Sequence, residues 1–308
     1  MDKLVINALA GFGINEVESI SRIKCCTKEK NMWIIDDKYI LKTYADLKSL
    51  ERIVLLNDEL YQAGAQVPRY YRTKAGELYV KADEDVYYTL ADKIHGSNVD
   101  MYEGNYKKRA FAIGKGIAKF HLALKELRNK TELWNGDCMA EFHDWILREI
   151  KEKNIPIKQD VINYLISFEE LYRKLPRQII HRDLHGGNML IDNDELAAII
   201  DISDITQVNV RIFDLCYYVS FFPDSKNDEE IEKWFIVFKS LLSGYNTVSE
   251  FTDDEFKAIP YMCAFIELLW IAFDEMIKGY ADYLPNNGFW TYDNRDKLLF
   301  SKQDIMQD

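Results

Sequence analysis

His-Arg-Asp-Leu-His-Gly-Gly-Asn, residues 181–188, is the stretch that decides how this chain is read. It carries Asp183 and, after four intervening residues, Asn188, on what reads as a tight loop between two strands. Gly186 and Gly187 let the backbone turn sharply between the two. An acid and an amide held at one point suit phosphoryl transfer, in which one group accepts the proton of an attacking hydroxyl and another holds a metal against phosphate oxygens. An ordinary turn aspartate is the plain alternative for Asp183, so the flanking sequence has to decide.

Met189-Leu190-Ile191, a polar turn at 192–195 and the apolar run 196–200 follow at once and read as a β-hairpin. The second run ends on Asp201, a carboxylate at the exit of a buried strand, which is costly unless paired or bound to a metal. His181, Arg182, Asp183 and Asn188 fill the pattern H-R-D-x-x-x-x-N, which resembles the catalytic loop of protein-kinase-like enzymes, with Asp183 as base and Asn188 as metal ligand. Asp201 then resembles the second metal ligand, the acid of Asp-Phe-Gly, although Ile202 and Ser203 follow it here.

Composition sets the frame. A chain of 308 residues with 48% apolar residues has room for two lobes and excludes wholesale disorder. A formal net charge of −12 argues against nucleic acid or an anionic membrane as partner and is compatible with a cationic small substrate. Cys25, Cys26, Cys138, Cys216 and Cys263 form no C-x-x-C pair and read as reduced thiols. The start of the chain lacks the pattern of a signal peptide, and the longest apolar stretch, 261–273, is broken by Glu267. The expected location is therefore cytoplasmic, with no membrane partner.

Periodicity supplies the rest. Residues 1–20 read as a short helix and lead-in, 32–36 and 39–44 as two strands around a polar turn, and 47–63 as a helix closed by Gly64. Runs at 69–73, 77–81 and 86–90 read as strands, and helices are expected at 106–127, 139–153, 158–175, 228–242 and 253–280. The chain thus divides near residue 93: a small α+β lobe over 1–93 and a larger, mainly helical lobe over 94–308, with a cleft between them.

Lys42, alternating with apolar neighbours in Ile-Leu-Lys-Thr-Tyr, resembles the strand lysine that touches the α- and β-phosphates. Such a lysine needs a carboxylate from the following helix; Glu51 and Glu59 are the candidates, and Glu51, nearer the helix start, is favoured. His181 and Asp214 read as structural supports, and His121 as a satisfied core histidine. His185 either touches substrate or packs within its loop.

Taken together these residues resemble the aminoglycoside phosphotransferase and choline kinase-like family, the small-molecule branch of the protein-kinase-like fold. The loop 181–188, Ile200-Asp201, Asp214-Leu-Cys216 and the helix pattern Ile113-Gly-Lys-Gly-Ile-Ala-Lys-Phe-His121 are its counterparts here. The resemblance implies a two-lobe fold, ATP and Mg²⁺ as cofactors, and a small-molecule hydroxyl as acceptor. It also implies a hinge in Leu90-Ala-Asp-Lys-Ile-His-Gly96, where adenine would meet the backbone of Asp92 and Ile94. There are departures. No G-x-G-x-x-G loop precedes Lys42, and Arg182 stands where the family commonly has glycine. The short step from Asp201 to Asp214, with no A-P-E segment after it, leaves no platform for a protein substrate. Residues 30–33 and 40–42 also resemble the spore-coat kinase-like branch, which keeps a non-catalytic, coat-associated binder as the alternative.

For the acceptor, Glu267, Trp270 and Asp274 fall near one face of a helix by their three- and four-residue spacing. An acid and aromatic lining of that kind suits an amine, such as an aminoglycoside or an amino alcohol.

Overall fold

The computed structural model describes residues 3–25, 28–83, 86–127, 135–203, 205–220, 227–273 and 289–306. Its contacts divide the chain into two compact units. One comprises residues 1–97 with 190–192 and 197–204; the other comprises 98–189, 193–196 and 205–308.

The first unit opens with α1 (Lys3–Gly11) and a sheet of β1 (Ile20–Cys25), β2 (Lys28–Ile35) and β3 (Tyr39–Tyr44). Asp36 and Asp37 turn the chain between β2 and β3 with φ of 51° and 54°, a left-handed pair whose twist matches the flanking strands. Helix α2 (Leu47–Gln62) follows, started by Asp46, whose carboxylate accepts from Ser49 N at 2.7 Å. It stops at Gly64, where φ is +78° and the Ala65 amide reaches back to Leu60 O. Strands β4 (Val80–Asp83) and β5 (Val86–Asp92) complete an antiparallel sheet in the order β1-β2-β3-β5-β4. Val5, Leu9, Ile35, Leu41 and Leu90 form its main core, while Leu50 and Val54 of α2 pack with Leu78 and Tyr87. The strand readings 69–73 and 77–81 need correction, the second because β4 begins only at Val80. Residues 69–73 meet β5 through a single bridge, Tyr70 to Ala91, and form no strand. Conversely β1, with apolar residues at only a few of its positions, gave no usable alternation.

In the second unit α3 (Tyr106–Leu127) is the long buried helix. The expected helix 139–153 is α4 (Cys138–Glu141), a π-helical turn (Phe142–Ile146) and α5 (Leu147–Glu152). The expected helix 158–175 is α6 (Gln159–Ser167) and α7 (Glu169–Tyr172), parted at Phe168. Strand β6 (Arg177–Ile180) pairs antiparallel with β9 (Gln207–Val210). Between them in sequence lies the hairpin of β7 (Met189–Asp192) and β8 (Glu195–Ile199), turned by Asn193 and Asp194 with φ of 51° and 62°. Helices α8 (Ile212–Tyr218), α9 (Asp228–Asn246) and α10 (Asp253–Ala272) follow. Helices α3 and α9 cross so closely at Gly114 and Gly244 that backbone meets backbone. Among the described residues no helix is long and apolar enough to cross a membrane, and Cys138, Cys216 and Cys263 are buried free thiols.

Glu267 of α10, expected to face a ligand, is fully buried. Its Oε1 accepts from Trp290 N at 3.1 Å, and its Oε2 from Thr291 N at 2.9 Å and Thr291 Oγ1 at 2.5 Å. It fixes the start of the short helix Trp290–Asp293 from inside the core. Asp274 lies outside the described residues.

Burial pushes the Glu267 carboxyl up to about 7, against the pull of the Thr291 and Trp290 donors. A raised native value means that the neutral acid is favoured in the fold. The associated stability is present below the ordinary value of 4.5 and is lost as pH rises through about 7. That shift corresponds to about 3 kcal/mol, at roughly 1.4 kcal/mol for each unit. The stability of the wild type minus that of Glu267→Gln, from urea melts at pH 5 and pH 8, is expected to fall by most of this amount, about 2–3 kcal/mol, since a little is already lost at pH 5. An unchanged difference would contradict the assignment.

Candidate functional site

The residues of the 181–188 loop are assembled within the second unit by a buried carboxylate. Asp214, in the first turn of α8 and fully buried, accepts from the His181 amide at 2.8 Å and the Arg182 amide at 2.9 Å. His121 Nε2 lies 3.0 Å from the same carboxylate, and its Nδ1 lies 3.0 Å from the Tyr245 hydroxyl. Burial alone would raise the Asp214 carboxyl; the His121 hydrogen bond, the His121 and His181 charges and the His181 amide outweigh it and hold it below its usual value. Asp214 thus braces the loop, and His121 is a core histidine whose two nitrogens are both engaged.

On this support Asp183 is oriented from three sides. Its Oδ1 accepts from the Tyr217 hydroxyl at 3.1 Å, its Oδ2 from Asn188 Nδ2 at 3.2 Å, and its amide donates to His181 Nδ1 at 3.3 Å. Burial, then the Asp183 charge, raise the Tyr217 hydroxyl well above its usual value, so it remains a donor at neutral pH. Asn188 Nδ2 also donates to Asp183 O at 2.8 Å, which leaves Asn188 Oδ1 with no donor among the described residues. His185 Nδ1 accepts from Gly187 N at 2.9 Å, so this histidine packs within the loop. Asn98 Nδ2 reaches Gly186 O, Gly187 O and Met189 O at 2.9, 3.1 and 2.9 Å and clamps the turn.

Arg182 has φ of +73°, a left-handed backbone that costs a side-chain-bearing residue roughly 1–2 kcal/mol. Its guanidinium lies 3.9 Å from the Phe213 ring centroid and pairs with Glu141. Arg182 and Tyr217 line a cavity of about 530 Å³ together with Glu141, Asp144, Trp145 and Phe273. Trp270, expected to line an acceptor site, stacks on Tyr217 at 5.3 Å and donates its indole N–H to Ser220 Oγ at 3.1 Å.

In the first unit Lys42 Nζ donates to Asp201 Oδ1 at 2.9 Å and lies 5.1 Å from the Tyr44 ring centroid. Asp201 is brought there because Ile199 N donates to Gln66 O and Ile191 pairs with Ser97, which groups these hairpin residues with the first sheet. Its φ of 62° is, like that of Arg182, a left-handed backbone. Glu51, the expected partner of Lys42, is instead exposed on α2, and its charge is felt at Tyr79. Glu59 does not serve either: one of its carboxylate oxygens is buried with no partner. At the expected hinge, Asp92 N donates to Arg69 O and the Asp92 carboxylate accepts from the Tyr71 hydroxyl at 2.6 Å. Ile94 N has no partner among the described residues.

The sheet unit and the helical unit define a protein-kinase-like fold. Residues 28–250 match the phosphotransferase enzyme family, and the chain belongs to that family. It is accordingly a small-molecule kinase acting on a hydroxyl. The homoserine kinase of Zymomonas mobilis subsp. mobilis is 25% identical over 267 residues, 82% of this chain and 77% of that one. The structure of amicoumacin kinase hAmiN with AMP-PNP, Ca²⁺ and Ami has a TM-score of 0.62 at 17% identity and covers 89% of each chain. A microcompartment-associated aminopropanol kinase has a TM-score of 0.62 at 16% identity, over 92% of this chain and 94% of its own.

Proposed function

We propose that the chain transfers the γ-phosphoryl group of Mg·ATP to a hydroxyl of a small, amine-bearing acceptor. The observation that carries this reading is Asp183, held by Tyr217 and Asn188 next to a cavity lined by acids and aromatic rings. Asp183 Oδ2 would accept the proton of the attacking hydroxyl, and the Tyr217 and Asn188 contacts keep that carboxylate aimed while it does so.

Asn188 and Asp201, each taken within its own unit, carry oxygen donors of the kind a hard divalent cation prefers. Asn188 Oδ1 has no protein donor, the Asp201 carboxylate is 43% exposed, and both are oxygen ligands. Among the described residues no group of three or more acids, histidines or cysteines forms a metal cluster, so phosphate oxygens and water would complete the shell. The cation would neutralise charge on the phosphates. Lys42 would contribute a second positive charge there, its position fixed in the structure by Asp201. The Ile94 N–H and the Asp92 carbonyl are the backbone groups offered to adenine. The AMP-PNP and Ca²⁺ bound by the amicoumacin kinase support a nucleotide and a divalent ion. Aminopropanol and homoserine, named for two relatives, each carry one amine and one hydroxyl, homoserine with a carboxylate besides.

The test is phosphate transfer from Mg·ATP to a panel of amino alcohols, aminoglycosides and sugars, with Asp183→Asn alongside. Wild-type turnover is expected to fall at least about a hundredfold in the variant, the usual contribution of a positioned base. A variant as active as the wild type would remove Asp183 from the mechanism. ATP binding without turnover on any acceptor would favour the non-catalytic alternative.

A further inference from the structure

Three carboxylates line the cavity beside Asp183: Asp137, Glu141 and Asp144. Two are already committed. Asp137 accepts from the Met139 and Ala140 amides at 2.9 and 3.0 Å and pairs with Arg173. Glu141 pairs with Arg182. Asp144, exposed on the π-helical turn, has no ion pair or hydrogen bond among the described residues. It is followed by Trp145, which meets Phe273 edge-on at 5.5 Å. Phe273 lies 6.3 Å from Trp270, which stacks on Tyr217, so linked aromatic rings run from Trp145 to the residue that holds Asp183.

Arg182 is what makes this count come out at one. Its side-chain Nη1 is buried without a hydrogen-bond partner, and its guanidinium is fixed by Glu141 and Phe213. Gln207, fully buried, also lines the cavity beside Glu141 and helps the Arg182 charge oppose the rise that burial imposes on that carboxyl.

We propose that Arg182, by neutralising Glu141, limits the cavity to one free carboxylate, Asp144, and thereby selects an acceptor carrying a single ammonium group over a polycation. This rests on the phosphotransferase reading above. One ammonium gains an ion pair with Asp144 and a cation–π contact with Trp145 or Phe273. A second would be desolvated near the Arg182 guanidinium with no anion left for it, which is selection by an unpaired charge.

The experiment is calorimetric binding of 1-amino-2-propanol and 1,3-diamino-2-propanol, which differ by one amine, to the full chain at pH 7. The wild type is expected to bind the monoamine at least tenfold more tightly than the diamine. Asp144→Asn should lose at least tenfold in monoamine affinity, and Arg182→Gly, which frees Glu141, should reverse the preference. Adding Glu141→Gln to Arg182→Gly should abolish the reversal. Asp144 is exposed, so Asp144→Asn folds whatever becomes of Arg182→Gly. A wild type that binds the diamine as tightly, binds neither amine, or is indifferent to Asp144→Asn overturns the proposal. Binding requires no turnover, so the preference is read even from a chain that transfers no phosphate, and failure of the kinase reading is seen separately in the Mg·ATP assay.

Discussion

Asp214→Ala is expected to lower unfolding free energy by about 3–5 kcal/mol and, in the protein that remains folded, to reduce kcat at least tenfold. Three donors converge on this one buried carboxylate: the amides of His181 and Arg182 and the His121 ring. Removing an acceptor of this kind strands its partners away from water. An unsatisfied buried donor costs about 1–3 kcal/mol, and breaking a buried ion pair by deleting one member costs about 3–5 kcal/mol. The two figures overlap because they count partly the same groups. Asp214→Asn should recover only part of the loss, since its amide nitrogen would face one of these donors. The kinetic effect follows from position: the two amides belong to the residues immediately before Asp183. Once they are released, Asp183, the base proposed above, loses its aim, although the Tyr217 and Asn188 contacts to its own carboxylate remain. Because the fold holds the Asp214 carboxyl below its usual value of 3.8, this contribution is complete above that pH and is lost as pH falls below it. The check is a pair of measurements: a urea melt at pH 7, and kcat at a temperature where both proteins are folded. A variant that melts and turns over like the wild type would refute the role of Asp214.

What the sequence made legible is what depends on short separations. Asp183 and Asn188 touch across five positions, and spacing alone brought them together. The β2–β3 and β7–β8 hairpins, α2 and α3 follow from alternation, turn residues and helical period, all local signals. Partners chosen by the fold were not legible. Lys42 meets Asp201 across 159 positions rather than the nearby Glu51, and Arg182 meets Glu141 across 41. Some signals were present and missed. Tyr217 lies one helical turn after Asp214, which puts it on the same side of α8, toward the loop. Glu141, Asp144 and Trp145 stand at i, i+3 and i+4 and share a helical face, as Glu267 and Trp270 do. The difference between the two sets is tertiary. Glu267 is consumed by the backbone of Trp290 and Thr291, whereas Glu141, Asp144 and Trp145 open onto a cavity. An acid in an apolar helix is therefore ambiguous until its hydrogen bonds are known, and the more buried of these two sets was the structural one.

Gly114→Ala sets two local effects of opposite sign against each other, and the outcome is decided by magnitude. Alanine is the better helix former by about 1 kcal/mol, so propensity alone favours the substitution within α3. Packing opposes it. A methyl group at Gly114 would lie 1.9 Å from Leu241 O and within 3 Å of Leu241 C and Tyr245 N. These are backbone atoms of α9, so no side-chain rotation relieves the overlap and the two helices must separate. Gly244 faces the same crossing from the other side, its added methyl falling 1.9 Å from Phe111 O. Overpacking a core usually costs about 1–3 kcal/mol, and the rigid opponent puts this case at or above the upper end. A net loss of at least about 2 kcal/mol is therefore expected for either substitution, read as a lower urea midpoint with little change in slope. The double variant gives the sharper test. Once α3 and α9 have parted to admit one methyl group, the second enters space already opened, so the combined loss should be clearly less than the sum of the two. Strict additivity would mean that the helices do not move as a pair. A Gly114→Ala protein as stable as the wild type would mean that they do not meet at these glycines at all.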